Sequence, residues 1–252
     1  MSVEREQILR EMGLGPVWKL RAAPAPIPAE EVVAPSSVAA EPPREIAPTI
    51  APTIAPTVAT TAPLAAMGWD ELAATVAACR QCRLCEARKQ AVLGVGDRNA
   101  DWLFVGEGPG AEEDQRGEPF VGQAGKLLDS MLAAIGLKRG EDVYIANAVK
   151  CRPPDNRTPA PDETATCRPW LERQIELIQP RLIVALGRPA AQTLLQTEVK
   201  IAAARGKLHD YRGIPLIVTY HPAYLLRTLL DKAKAWEDLC FMRHTMQKQK
   251  NR

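Results

Sequence analysis

"DWLFVGEGPGAEEDQRGEPFVG", residues 101–122, opens with an apolar run at 102–105 and passes directly into glycines. A short apolar run that stops at glycine reads as a buried strand ending in a loop. Glycines straight after a strand commonly cradle a phosphate, yet this loop carries Glu107, Glu112, Glu113, Asp114 and Glu118, which would repel one. The loop must need a bare backbone and several carboxylates for another purpose. Downstream, residues 143–146, 182–186 and 216–220 repeat the strand pattern, and helix-like segments at 125–135, 162–178 and 189–195 separate the runs. This alternation predicts a three-layer α/β/α domain with a mainly parallel central sheet. In such sheets ligands bind beyond the carboxyl ends of the strands. Those ends lead into the glycine and glutamate loop, Asn147, Gly187-Arg188 and His221-Pro222, four polar loops expected on one edge.

The chain has 252 residues, 46% apolar and 25% charged, enough to bury a sizeable core without disulfides. No apolar run approaches the roughly 20 residues of a membrane span, and the N-terminus lacks the apolar stretch of a secretory signal. A cytoplasmic protein with no membrane partner is expected. Net charge is +2, and residues 67–252 hold 27 basic against 23 acidic groups. That balance permits a nucleic-acid partner without demanding one.

Residues 22–66 hold 10 of the 22 prolines and the reiteration "APTIAPTIAPTV". With no aromatic residue and little to bury, this stretch is expected to be a disordered, partly polyproline linker. Residues 1–21 place Ile8, Leu9 and Met12 at helical spacing before it. A short helical peptide on a tether is the form of a docking motif for a protein partner, or else a frayed end. The globular domain is expected over 67–252, as a monomer.

Six cysteines in a reducing compartment point to metal ligation, catalysis or burial before disulfides. "CRQCRLC" supplies Cys79, Cys82 and Cys85, and Cys151 and Cys167 follow in "CRPPDNRTPAPDETATC". Two ligands from a tight Cys-x-x-Cys turn and two from a distant loop suit zinc or an iron–sulfur cluster, between which spacing does not choose. Cys240, between Leu239 and Phe241, reads as core.

"GEGPGAEEDQRGEPFVGQAGKLLD", "YIANAVKCRPPDNRTP" and "YHPAYLLR", in that order and joined to the Cys-x-x-Cys, resemble the family 4 uracil-DNA glycosylases, the iron–sulfur branch of that superfamily. The resemblance covers roughly residues 79–236. It implies a base excision repair enzyme acting on uracil-containing DNA. It further implies a structural 4Fe-4S cluster held by Cys79, Cys82, Cys151 and Cys167, with Cys85 outside the ligand set. His221 falls where the family's leaving-group histidine lies, and "AYLLR" suggests Leu225 and Leu226 as a wedge into the base stack, with Arg227 near a phosphate. Members often carry an acid where this chain has Ala111.

Excising a base requires turning it out of the duplex into a pocket. Phe120 is expected to stack on the pyrimidine, and Asn147 offers an acceptor and a donor matching uracil's pairing edge. His221 would donate to the oxygen on which negative charge develops. Carboxylates beside a sugar that becomes cationic lower the barrier, and one can orient water; Glu107 is the first candidate and Glu113 the second. Gly106, Gly108 and Gly110 are expected to let the backbone approach the nucleotide. Glu112, Asp114 and Glu118 read as solvated or paired with Arg116, and Lys150, Arg152, Arg205 and Lys207 as backbone contacts. His209 and His244 receive no role. The rival classes are a non-catalytic DNA-binding or polymerase accessory module, an electron carrier, and a relative that joins covalently to DNA. Glu107, Asn147 and His221 occurring together argue against the first, and the basic, histidine-bearing insertion that marks the last is absent.

Overall fold

The computed structural model describes residues 63–251. The expected N-terminal docking peptide and almost all of the linker lie outside the described residues. In chain order the elements begin with α1 (Trp69–Ala78), α2 (Leu84–Ala87), β1 (Val95–Gly96) and β2 (Trp102–Gly106). Next come α3 (Ala111–Arg116), α4 (Gln123–Ala134), β3 (Val143–Asn147), α5 (Pro161–Ile178) and β4 (Leu182–Leu186). The chain continues through α6 (Arg188–Leu195), α7 (Ile201–Ala204), β5 (Leu208–Tyr211), β6 (Ile214–Thr219), α8 (Pro222–Arg227) and α9 (Lys232–Lys250).

The six strands form one sheet in the order β1-β3-β2-β4-β6-β5. The four central strands are parallel, and β1 and β5 add antiparallel edges. Every residue of β2, β3 and β4 is buried, which is why these runs are apolar throughout instead of alternating. Successive side chains still point to opposite faces. Leu103, Val105, Ile183 and Ala185 face Leu171 and Ile175 of α5 and Ala190, Ala191 and Leu194 of α6. Phe104, Ile145, Val184 and Leu186 face Leu128 and Leu132 of α4 and Leu239 and Met242 of α9. The sheet is thereby covered on both sides, as the alternation predicts.

β5 and β6 form a hairpin whose two-residue loop, Arg212-Gly213, has positive φ at both positions (50° and 88°). That conformation matches the twist of the paired strands, and glycine at the second position makes it inexpensive. A third, smaller core lies beside β3, where Leu72, Val76, Leu84 and Trp170 surround Cys151 and Cys167. Leu64, expected in the linker, packs against this cluster from a single turn at Leu64–Ala66. Among the described residues no helix is long and apolar enough to cross a membrane.

Candidate active site

Strand order reverses at β2: β3 lies on one side of it and β4 on the other. The loops leaving the carboxyl ends of these strands therefore diverge, and a crevice opens between them. A cleft of about 920 Å³ occupies this place. Its wall includes Glu107, Gly108, Phe120, Asn147, His221 and Arg227, brought together from segments more than a hundred residues apart.

Asn147 closes β3 opposite Gly106 of β2. The residue is 2% exposed, and its Oδ1 is buried with no hydrogen-bond partner. A buried acceptor left unpaired costs about 1–3 kcal/mol, so this oxygen awaits a donor. A Cβ added to Gly106 would stand 2.5 Å from Phe120 Cζ and would also collide with Asn147 Oδ1. The bare Cα of this glycine, expected to admit the nucleotide, instead seats the cleft's own ring and amide. Gly108 likewise has Val149 against it, at 2.8 Å from an ideal Cβ.

Phe120 is buried in the left-handed region, φ 55°, an uncommon conformation for a bulky residue. Three contacts hold it there. Glu113 accepts from the N–H groups of Val121 (2.9 Å) and Gly122 (3.1 Å), while its other oxygen accepts from the N–H of Gly110, the N-cap of α3. Arg139 donates to the carbonyls of Pro119 (2.9 Å) and Phe120 (2.8 Å) and pairs with Asp129. The ring then faces the imidazole of His221, centroids 5.5 Å apart at 31°. Glu113 thus borders the cleft with both carboxylate oxygens engaged by backbone. Arg139, absent from the sequence reading, comes from the loop after α4, where no local pattern marks it.

His221 is the N-cap of α8, and its Nδ1 accepts the Ala223 N–H at 3.1 Å. An accepting Nδ1 places the ring proton of the neutral imidazole on Nε2. Burial in the cleft wall pulls its pKa down to about 4, reinforced by Arg227 and opposed by Glu113. The group is therefore a neutral Nε2–H donor at physiological pH. Burial raises the Glu107 carboxyl above its ordinary range, while the Thr158 side chain and the charge of Arg188 partly hold it down. Thr158, Arg157, Arg188 and Tyr220 also line the cleft, and the sequence reading gave none of them a role.

Four further expectations are corrected. Leu225 is 1% exposed, within the core beneath α8, so it is no wedge; Leu226 is 42% exposed, next in sequence to Arg227, which lines the cleft. Asp114 is buried and accepts the N–H groups of Lys89 and Gln90, pinning the segment after α2. Arg205 is committed to Asp238 and Glu237. Lys150 is 1% exposed and donates inward, so it cannot reach a DNA backbone. Arg152 is held by Asn156, and Lys207 is exposed.

Beside β3, Cys79, Cys82, Cys85, Cys151 and Cys167 line a second, small cavity together with Arg88, Lys150 and Trp170. Arg88 donates to Cys151 Sγ at 2.8 Å, and the Lys150 N–H donates to Cys167 Sγ at 3.2 Å. Burial pushes the Cys167 thiol up to about 12 and raises those of Cys82 and Cys151. Among the described residues, no three His, Cys, Asp or Glu side chains converge as they would on a single ion.

The doubly wound α/β sheet thus brings an amide, an aromatic ring, an imidazole and a carboxylate into one cleft at its switch point. The family model for the uracil DNA glycosylase superfamily matches residues 93–240. The chain belongs to that superfamily. It is 47% identical over 165 residues to the type-4 uracil-DNA glycosylase of Archaeoglobus fulgidus, covering 62% of this chain and 82% of the relative. The type-4 enzyme of Thermotoga maritima is 49% identical over 151 residues, 59% of this chain and 78% of the relative. That of Pyrobaculum aerophilum is 43% identical over 169 residues, 64% and 86% respectively.

Proposed function

We propose that this protein removes uracil from DNA by hydrolysing the bond between the base N1 and the sugar C1′, leaving an abasic site. The observation that carries the reading is the orphaned Oδ1 of Asn147, a residue 2% exposed and set beside Phe120 in the cleft. An extruded uracil would answer it with its N3–H while the Asn147 amide N–H reaches O4. Cytosine presents an acceptor at N3 and an amino group at position 4, leaving two acceptors and two donors facing each other. Phe120, held at positive φ by Glu113 and Arg139, supplies the stacking surface.

As the C1′–N1 bond breaks, its electron pair passes to the base. His221 Nε2–H donates to uracil O2, where that charge gathers, at the stage where a fixed donor in a dry cleft is most effective. The sugar becomes cationic and the ionised Glu107 faces it, stabilising the charge and orienting a water whose oxygen forms the new bond to C1′. The water proton leaves through the Glu107 carboxylate. Glu113 acts by fixing Phe120. Leu226 and Arg227, both exposed, would fill the vacated stack and meet a phosphate.

The cysteine cavity fits a 4Fe-4S cluster. Its sulfur donors are all thiols, and its lining supplies N–H groups from Arg88 and Lys150 to two of them. Cys79, Cys82, Cys151 and Cys167 would hold it. When bound, the cluster supplies a cross-link between the segment after α1, the loop after β3 and α5, a structural role. The test of function is incubation of the purified protein with single uracil-, thymine- and cytosine-containing oligonucleotides, followed by alkali. Cleavage at uracil alone is expected; intact uracil strands with iron-loaded protein would overturn the reading.

A further inference from the structure

Lys150 is among the largest fully buried side chains in the described residues. A buried ammonium is costly unless its surroundings are arranged for it, and a methionine would fill a similar volume without that cost. What the cation adds is direction. Its Nζ donates to the Asn147 carbonyl at 2.8 Å and to Gln174 Oε1 at 2.5 Å. Gln174, itself fully buried on α5, donates through Nε2 to the Leu93 carbonyl (3.0 Å) and the Tyr144 hydroxyl (3.2 Å). The Lys150 N–H meanwhile donates to Cys167 Sγ, and the residue lines the cysteine cavity. One residue therefore touches the peptide that carries the orphaned amide and the sulfur cage beside it.

We propose that Lys150 is a positioning residue for base recognition, fixing the end of β3 so that Asn147 presents its amide to the cleft, and tying that placement to the cysteine cavity. This rests on the reading of Asn147 given above. The carbonyl that Lys150 grips belongs to the residue whose side chain reads the base, so releasing it lets the amide swing about its own Cα. The second acceptor, Gln174, anchors the ammonium to α5, so the amide is referenced to the helix that also supplies Cys167.

The test is a double-mutant cycle of Lys150→Met and Asn147→Ala, read by single-turnover excision and by inhibition with free uracil. Iron content and circular dichroism are recorded for each protein. Lys150→Met is expected to slow excision by about tenfold to a hundredfold, the usual effect of displacing a positioned group by about an ångström. It should weaken uracil inhibition in parallel and change neither readout by more than about twofold in the Asn147→Ala background. Equal losses in both backgrounds would overturn the proposal, since general scaffolding is additive. If Asn147→Ala alone leaves excision intact, the reading of the pocket fails first and this inference with it. Should Lys150→Met not fold or lose its iron, Gln174→Leu takes its place in the cycle, under the same two criteria with a smaller expected loss.

Discussion

Replacing Gly106 by alanine tests whether the ring and the amide are held against bare backbone for recognition. The new Cβ would lie 2.5 Å from Phe120 Cζ and 2.7 Å from Cε2, against an ordinary contact that begins at 3.4 Å. The ring must therefore retreat by about 0.9 Å, and Asn147 Oδ1 must turn aside with it. Both are otherwise buried, so the only way open to them is into the cleft they line, out of their recognition positions. Overpacking of this kind costs about 1–3 kcal/mol of stability, and displacing two recognition groups by nearly an ångström is expected to slow excision on the order of a hundredfold. Gly68→Ala is the control, since an added Cβ there meets nothing within 4 Å. That variant should keep its rate and lose under about 1 kcal/mol at a helix N-cap. Single-turnover excision on a uracil oligonucleotide, corrected for the folded fraction from a thermal melt, separates the two effects. A Gly106→Ala protein that melts several degrees early yet excises at the parental rate would refute the argument. Phe120 and Asn147 would then be core, and not recognition, groups.

Four other outcomes follow from the same structure. His221→Ala should lower the chemical step about a hundredfold to a thousandfold, with DNA binding little changed, as when one oxyanion donor is removed. Because His221 is held neutral down to about 4, the rate should show no histidine inflection between about pH 5 and 8. Its acid limb should follow the raised Glu107 carboxyl, lost as pH falls through that pKa, and should vanish in Glu107→Gln. Arg139→Ala releases the Pro119 and Phe120 carbonyls, so excision should fall by more than its stability cost of about 1–2 kcal/mol explains; parallel losses would make Arg139 merely a stabilising residue. Cys151→Ser should lower bound iron and solubility before it lowers the rate of whatever protein remains loaded, and a fully active iron-free variant would remove the structural role of the cavity.

Much of the scaffold was legible because its strands are buried on both faces. The runs at 102–105, 143–146 and 182–186 lie within β2, β3 and β4, and α4, α5 and α6 begin within two residues of their expected starts. The edges were not legible. β1 has only two residues, and β5 reads Leu-His-Asp-Tyr with its leucine 54% exposed, so neither shows an apolar pattern. The hairpin loop Arg212-Gly213 was the one signal that could have revealed β5. Within the cleft, Glu107, Phe120, Asn147 and His221 meet as the strand-end rule requires. What the sequence could not reveal depends on partners far along the chain. Glu113 and Arg139 converge on Phe120 from opposite sides, Lys150 turns inward to Gln174, and Leu225 is covered while Leu226 is not. Charge and hydrophobicity are the same in either environment, so residue type alone does not separate a surface contact from a buried strut.

The most direct test is the single-turnover rate of Asn147→Ala beside the parent protein on one uracil-containing duplex, with duplex affinity measured in parallel. A loss of at least about a hundredfold in rate at nearly constant affinity is the predicted result. Parental turnover by a folded, iron-loaded Asn147→Ala protein would contradict it, because the unpaired oxygen would then have no part in gripping the base.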